Sequence, residues 1–474
     1  MSTYTVPFVI GGEDRLVEKT FDVISPDTGK VLHKCGIATE EDARAAIEAA
    51  AAAGQQWRNT SVSERRDVIL RAAEILIKRK EELATYLLDE VGAERGLADF
   101  NLGNGIDMIK DIAGRVSAIE GSIPSCAPGR TALLVKEPYG VVLAMAPWNA
   151  PYILGIRSVL FPIAAGCTVV FKGSELSPRS HHAVVSVLNE AGLPKGVLNY
   201  IVTDPAHAPS VTESLISNPH VKKINFTGST AVGKIIAKTA GQYLKPLVLE
   251  LGGKAPAIVW EDANLDIAAE QCAIGAFVFS GQVCMSTERI IVHKKISQVF
   301  KEKLVASIEK IFPAKGDAAV LVSSRGVDKN KVLLKDAVNK GATILHGDID
   351  ATESTKTRMR PIVAGGVTSD MDLYKQESFG MSVSLIEVET EEEALRIAND
   401  TEYGLASAVF TEDLKVGLRF ARGIETGAVH INNMTVHDEP ALPHGGAKES
   451  GYGRFNAAAG IQEWVRTKTI TWRD

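Results

Sequence analysis

The chain has 474 residues, 45% of them hydrophobic and 23% charged, and a net charge of -6, a composition ordinary for a soluble globular protein that leaves no basic footprint for nucleic acid. Its length exceeds one small core and predicts more than one domain. The opening MSTYTVPFVIGGEDRL lacks the basic and long apolar regions of a secretory signal, and the closing TITWRD shows no terminal address, so the cytosol is the expected compartment.

After a strand-rich start, EEDARAAIEAAAAAGQQW has helical spacing, and SERRDVILRAAEILIKRKEELATYLLDEVG predicts a helix opened by Ser63 and closed near Gly92. The most apolar stretch, ILGIRSVLFPIAAGCTVVF, is interrupted by Arg157, Pro162 and Gly166 and reads as a buried helix running into a strand, with no membrane partner. From GVVLAMAPWNAP onward the β-branched runs TVVFKG, VLNYIV and KINFTGS alternate with PRSHHAVVSVLNEAG and STAVGKIIAKTAG, which have helical length. That alternation predicts a parallel sheet with right-handed crossovers, and ligands at the carboxyl ends of its strands. His181 and His182, at a helix start, are expected on the surface.

PLVLELGGKAPAIVW begins a second alternating region that runs through RIIVHKK, KVLLKDAVNKGATIL, EEEALRIAND and ASAVFTED to GAVHINN. It predicts a second α/β domain, with Leu251 to Gly253 as the hinge. The final EWVRTKTITW alternates like a strand with nothing after it to pair, and is expected to be covered by another subunit.

The five cysteines are odd in number and scattered, without a CxxC pair, so neither a disulfide framework nor a structural zinc site is expected. Cys35, Cys126, Cys167 and Cys272 read as small buried apolar side chains. Cys284, in SGQVCMS, is either core, ligand or nucleophile; the glycine upstream permits close backbone approach, and its own N–H could face an oxyanion. Glu250 lies in an otherwise apolar strand, where burial raises a carboxyl pKa toward that of a general base, unless an ion pair holds it.

Glycines 228 and 233 of NFTGSTAVGK follow a strand and open a helix, either a phosphate site or an ordinary βα turn; the pattern is neither GxGxxG nor a P-loop. Lys172 and Glu175 of FKGSE would sit on the ligand-bearing edge, at a ribose or in a solvated loop. The run His437-Asp438-Glu439 alternates faces with no second cluster to complete a coordination set, so it reads as a loop at a pocket mouth and no metal is expected.

Together APWNAP, FKGSE, FTGSTAVG, ELGGK, GQVC, QESFG and HGGAKESGYGR stand in an order and at intervals that resemble the aldehyde dehydrogenase superfamily over nearly the whole chain. The resemblance implies an α/β fold with a Rossmann-like cofactor domain (1–120 and 141–250) and a nucleophile-bearing α/β catalytic domain (251–430). It adds a small β oligomerisation element (121–140 and 455–474), built from a hairpin before VVLAMAPWN and the terminal strand, and a substrate-tunnel and linker segment (431–454). Homodimers or homotetramers follow from that element.

It also implies roles. Cys284 would attack the aldehyde to form a thiohemiacetal, with Asn149 and the Cys284 N–H at the oxyanion; hydride loss would leave a thioester, and Glu250 would activate the water that hydrolyses it. Lys172 and Glu175 would meet the adenosine ribose, Ser174 beside them would also bind the cofactor, and Gly228, Ser229 and Gly233 would lie near the pyrophosphate. Glu377 and Phe379 would meet the nicotinamide ribose, with Trp148 and Leu251 beside the cofactor. Glu175 favours NAD over NADP, while Lys172 leaves NADP open. Glu250 marks a hydrolytic, non-acylating member, and Glu250→Gln is expected to slow hydrolysis while sparing hydride transfer.

Where many members line the substrate tunnel with aromatics, this chain has Ala150, Arg157 and His444; Val283, Met285 and His437 complete the expected lining. Ser158 and Phe455 replace a lysine and an acid found in many relatives, which removes a second proton-relay carboxylate. APWNAPYILGIRSVLFP, FKGSELSP, TVHDE and SGYGRF look most like the salicylaldehyde, benzaldehyde and vanillin dehydrogenase branch. The implied substrate is an aromatic or polar-substituted aldehyde, with a succinic-semialdehyde-type or broad aliphatic substrate as the alternative. Arg157 would bond the substrate's polar group, or form a salt bridge below the pocket while His444 fills space. A crystallin-like, non-enzymatic scaffold is the remaining class, which retention of Cys284, Glu250 and Asn149 argues against.

Overall fold

Five apolar runs of the first half, Val141–Met145, Thr168–Lys172, Leu198–Ile201, Val221–Thr227 and Leu247–Glu250, pair in parallel at the centre of an eight-stranded sheet. Gly451–Tyr452 closes one edge, and Phe8–Ile10 with Glu13–Arg15 the other, all antiparallel. Successive residues of the central strand feed opposite faces: Val142 and Ala144 join one core, Val141, Leu143 and Met145 the other. Chain winding reverses on either side of Val141–Met145, so a crevice opens at the carboxyl ends of the neighbouring strands. The computed structural model describes residues 4–473; positions 1–3 and 474, the extremes of the first and last expected segments, lie outside the described residues.

A seven-stranded sheet carries the second half, in the order Thr343–His346, Ile362–Gly365, Ser382–Val388, Thr287–His293, Ala255–Val259, Ala406–Phe410, Ala428–Ile431. All neighbours are parallel except the first pair. Cys284 and Glu377 each lie just before a strand of this sheet, at its amino edge. The candidate site therefore forms where the carboxyl edge of one sheet meets the amino edge of the other. Leu251 to Lys254 joins them, and its glycines are required by close approach: a Cβ on Gly253 would stand 2.2 Å from the Cys284 carbonyl oxygen.

Helix Pro151–Ala164 is buried along its whole length. Its internal Pro162 cannot bond the Ser158 carbonyl, and Asn225 Nδ2 donates to that oxygen instead at 3.0 Å. Among the described residues no helix is long and apolar enough to cross a membrane.

Several local expectations change. The segment expected as one helix from Ser63 forms two, Val62–Lys78 and Lys80–Val91, because Ser61 and Glu64 complete a capping box earlier and Arg79 leaves helical geometry. Gly92 does end the second, in left-handed conformation. His181 is fully buried, not on the surface: Ser174 N donates to its Nδ1 at 3.1 Å and its ring meets Phe171 edge-on. His182 is mostly buried beside Asp14. Cys126 is exposed, whereas Cys35, Cys167 and Cys272 are buried as expected. The terminal strand, Val465–Arg473, does find a partner within the chain, pairing antiparallel with Arg130–Pro138 along its whole length.

Candidate active site

Helix Leu265–Phe277 ends just before the cysteine loop, and Phe279 (φ 51°), Ser280 (φ 57°) and Gly281 (φ 67°) then run through left-handed conformation. A Cβ on Gly281 would lie 2.0 Å from the Gly380 carbonyl oxygen, so only glycine fits. Such conformations cost about 1–3 kcal/mol for each non-glycine residue and persist only where neighbours hold them. Ser280 Oγ donates to Val320 O at 2.7 Å, and Gln282 Oε1 accepts from Val322 N at 2.8 Å. The Gln282 carbonyl in turn accepts from Asn149 Nδ2 at 2.9 Å, which fixes the amide beside the cysteine.

Cys284 Sγ donates to Glu250 Oε1 at 3.1 Å. The sulfur, the amide and the carboxylate, far apart in the chain, thus meet at one point. Glu250 ends its strand almost wholly buried, with His444 Nε2 at 3.4 Å from Oε1 and Arg157 Nη1 at 3.7 Å from Oε2. Burial pushes its pKa up, but His444, Arg157 and the thiol bond together outweigh burial and hold it below the ordinary carboxylate value. The raised value expected from an apolar strand is corrected accordingly. Desolvation and the Glu250 charge push the Cys284 thiol well above its ordinary range, so the resting pair is a thiol aimed at a carboxylate.

Arg157 lies beneath this pair, ion-paired to buried Asp438 and 5.6 Å from the Phe455 ring centre. Asn456 Nδ2 donates to the same Asp438 carboxylate at 2.8 Å. Asp438 therefore belongs to the buried floor and not to the loop surface, while His437 pairs with Glu439 at 2.9 Å and its ring lies 4.9 Å from that of His430, tilted by 50°. Burial pushes His430 down to about 4. Ala150 caps the buried helix. Met285 packs with Leu405 and Ala406, and Val283 and Cys284 lie against that cluster.

The remaining candidates line the facing edges of the two sheets. Lys172 ends its strand, burial pushing its pKa down and Glu175 pushing it up. Ser174 Oγ accepts from Leu176 N at 3.2 Å and shapes the turn. Gly228 N donates to Glu250 O at 3.1 Å, and Ser229 caps helix Thr230–Gln242. A Cβ on Gly233 would lie 2.5 Å from Leu251 Cδ2, so its absence lets this helix N-terminus close on the crevice, where its N–H groups suit an anion. Glu377 Oε1 accepts from Gly253 N at 2.9 Å, and desolvation pushes its carboxyl up to about 7. Trp148 meets Phe379 edge-on at 5.9 Å.

A model of the aldehyde dehydrogenase family matches residues 14–470. The chain belongs to the aldehyde dehydrogenase family. It is 43% identical over 477 residues to a vanillin dehydrogenase of Pseudomonas sp. strain HR199, covering 99% of this chain and 98% of that protein. It is 39% identical over 463 residues to a salicylaldehyde dehydrogenase of Pseudomonas sp. strain C18, covering 96% of this chain and 95% of that one. Among solved structures, salicylaldehyde dehydrogenase from Pseudomonas putida G7 complexed with salicylaldehyde superposes with a TM-score of 0.95 at 37% identity, over 99% of this chain and 98% of that one.

Sequence reasoning about this aldehyde dehydrogenase missed the group that holds the QESFG loop. Glu288 accepts from Ser378 N at 2.9 Å, Ser378 Oγ at 2.6 Å and Phe379 N at 3.1 Å, and pairs with buried Lys254 at 2.6 Å. The signal was weak: Glu288 stands between Thr287 and Arg289 in strand Thr287–His293, so it does not read as an acid in apolar surroundings. His430 and the floor role of Asp438 carried no such signal, since their burial depends on elements distant in sequence.

Proposed function

We propose that this enzyme oxidises an aromatic or polar-substituted aldehyde to its carboxylic acid with NAD, through covalent attachment to Cys284. The observation that carries the reading is the 3.1 Å contact from Cys284 Sγ to Glu250, with the Asn149 amide anchored alongside on Gln282 O. The thiol proton passes to Glu250 as sulfur bonds the carbonyl carbon. One Asn149 N–H is used by Gln282, leaving the second, with the Cys284 N–H, for the developing oxyanion.

A nicotinamide dinucleotide held by Glu377, Ser229 and the helix N-terminus at Gly233 would supply the two-electron acceptor, and Cys284 would keep the acyl group as a thioester. Glu250 gives the thiol's proton up to solvent, then takes a proton from water as the water oxygen adds to the thioester carbon and passes it to the departing sulfur, so that the cysteine leaves as thiol. The sum is aldehyde, NAD+ and water giving acid, NADH and a proton.

The cofactor family is NAD or NADP. Fit to a dinucleotide is supported by the helix N-terminus closing at Gly233, the turn at Gly228 and Ser229, and half-buried Glu377, which has a carboxylate oxygen left for ribose hydroxyls. Glu175 disfavours a 2'-phosphate, which supports NAD. Five free cysteines, three of them buried, are consistent with a cytosolic enzyme.

Arg157 is committed to Asp438 and faces Glu250, so its charge shapes the floor of the pocket instead of bonding the substrate. His437 and His444 leave the pocket polar, and the likeness to vanillin and salicylaldehyde dehydrogenases favours ring aldehydes. The test compares kcat/KM for vanillin, salicylaldehyde, succinic semialdehyde and hexanal with NAD and NADP, with Cys284→Ser as control. Highest turnover on hexanal would remove the aromatic assignment, and NADH formation surviving in Cys284→Ser would remove the mechanism.

A further inference from the structure

The carboxylate oxygen that accepts the Cys284 thiol has a second neighbour. Glu250 Oε1 lies 3.1 Å from Cys284 Sγ and 3.4 Å from His444 Nε2. His444 is held from behind by a reciprocal backbone pair, its N–H donating to Phe455 O at 2.9 Å and its carbonyl accepting from Phe455 N at 2.7 Å. Its Nε2 is buried and satisfied by no full hydrogen bond, an arrangement that persists where the atom is used.

Arg157 approaches the other oxygen, Oε2, at 3.7 Å and is tied to Asp438. Arg157 and His444 thus divide the carboxylate between them, and His444 takes the oxygen that faces sulfur. Around the imidazole stand Glu250, Asp438 and His430, with Cys284 in front of the carboxylate.

We propose that His444 is the positioning residue of the Cys284–Glu250 pair, its Nε2–H held against Oε1 so that this oxygen stays turned to the sulfur and takes its proton. The step it serves moves one proton: the Sγ–H bond breaks, an Oε1–H bond forms, and the thiolate electron pair is freed to attack an electrophile. The inference rests on Glu250 acting as base and adds the residue that aligns it. The contact from His444 to Oε1 also favours the ionised carboxylate, in line with the lowered value of Glu250.

The test is alkylation of Cys284 by iodoacetamide across the acid-to-neutral range, in the full chain, read by peptide mapping so that exposed Cys126 is scored apart. In His444→Phe the acid limb is expected to move up by about 1 pH unit, the effect of losing one adjacent positive charge. Its plateau is expected to fall about tenfold, the worth of one hydrogen bond to a charged group. His444→Gln keeps an N–H without the charge, so its limb moves while its plateau stays near wild type.

Superimposable profiles, or an equal fall at every pH in both variants, overturn the proposal, because a merely structural role does not move the limb. Cofactor binding and melting temperature establish folding; if the Phe variant does not fold, the Gln variant decides, and an unmoved limb there overturns the assignment. The readout uses no aldehyde. A shifted limb in a protein that oxidises no aldehyde would keep His444 in this role and remove the proposed function.

Discussion

Replacing Glu250 by Gln keeps the volume of the side chain and removes the acceptor of two protons, one from Cys284 and one from water. Two opposing effects act on the thiol. Loss of the adjacent negative charge favours thiolate, but desolvation is the larger cause of its raised value and remains. Arg157 stays paired with Asp438, so the variant is expected to fold. Water has no comparable intrinsic nucleophilicity, and loss of its base is expected to cost hydrolysis about 10²–10⁴-fold. Acylation through the more reactive sulfur is expected to slow only about tenfold.

The sequence reading has hydride transfer spared in this variant; the 3.1 Å thiol contact changes that to a partial loss. Stopped-flow NADH fluorescence separates the two steps: a slowed but stoichiometric burst, then a steady state depressed much further. A steady-state rate equal to wild type would refute the assignment of Glu250. So would a vanished burst followed by normal hydrolysis.

Asp438→Asn breaks a buried ion pair, at a cost of about 3 kcal/mol, the lower end of the range, because Glu250 still faces Arg157. Burial raises the Asp438 value, but Arg157 and His444 outweigh burial and lower it, so its stabilisation is complete above the unfolded value of about 3.9 and lost as pH falls through the folded one. Thermal melts against pH should show a lower Tm at neutrality and a flatter acid side. Glu377, held at about 7, should bind NAD more tightly as pH rises through that value, since only the ionised carboxylate accepts both ribose hydroxyls without giving up an acceptor site. Calorimetric titration should show the dependence flattened in Glu377→Gln. We also expect that deleting Val465–Arg473, whose Ile470 and Trp472 stand half exposed, weakens a homodimer or homotetramer. Light scattering that shows an unchanged mass would count against an assembly role for this strand.

Local chemistry made much of the protein legible in its sequence. Helical period marks Glu40–Trp57, a largely apolar run interrupted by Arg157 and Pro162 marks a buried helix, and strand–glycine–helix at Gly228 and Gly233 marks a helix opening at a sheet edge. An acid in an apolar strand singles out Glu250, because an unpaired buried carboxylate is too costly to be incidental. These signals depend on residues within a few positions of one another, where spacing alone constrains geometry.

What tertiary structure decided is how the charges are shared. The pKa of Glu250 turns downward because His444, Arg157 and Cys284 arrive from three other parts of the chain, and their combined field outweighs its burial. Asp438 turns inward for the same reason, since only the folded floor brings Arg157 and Asn456 to it. Electrostatic effects fall off with distance in space, and distance along the chain does not fix distance in space; direction of titration therefore belongs to the fold.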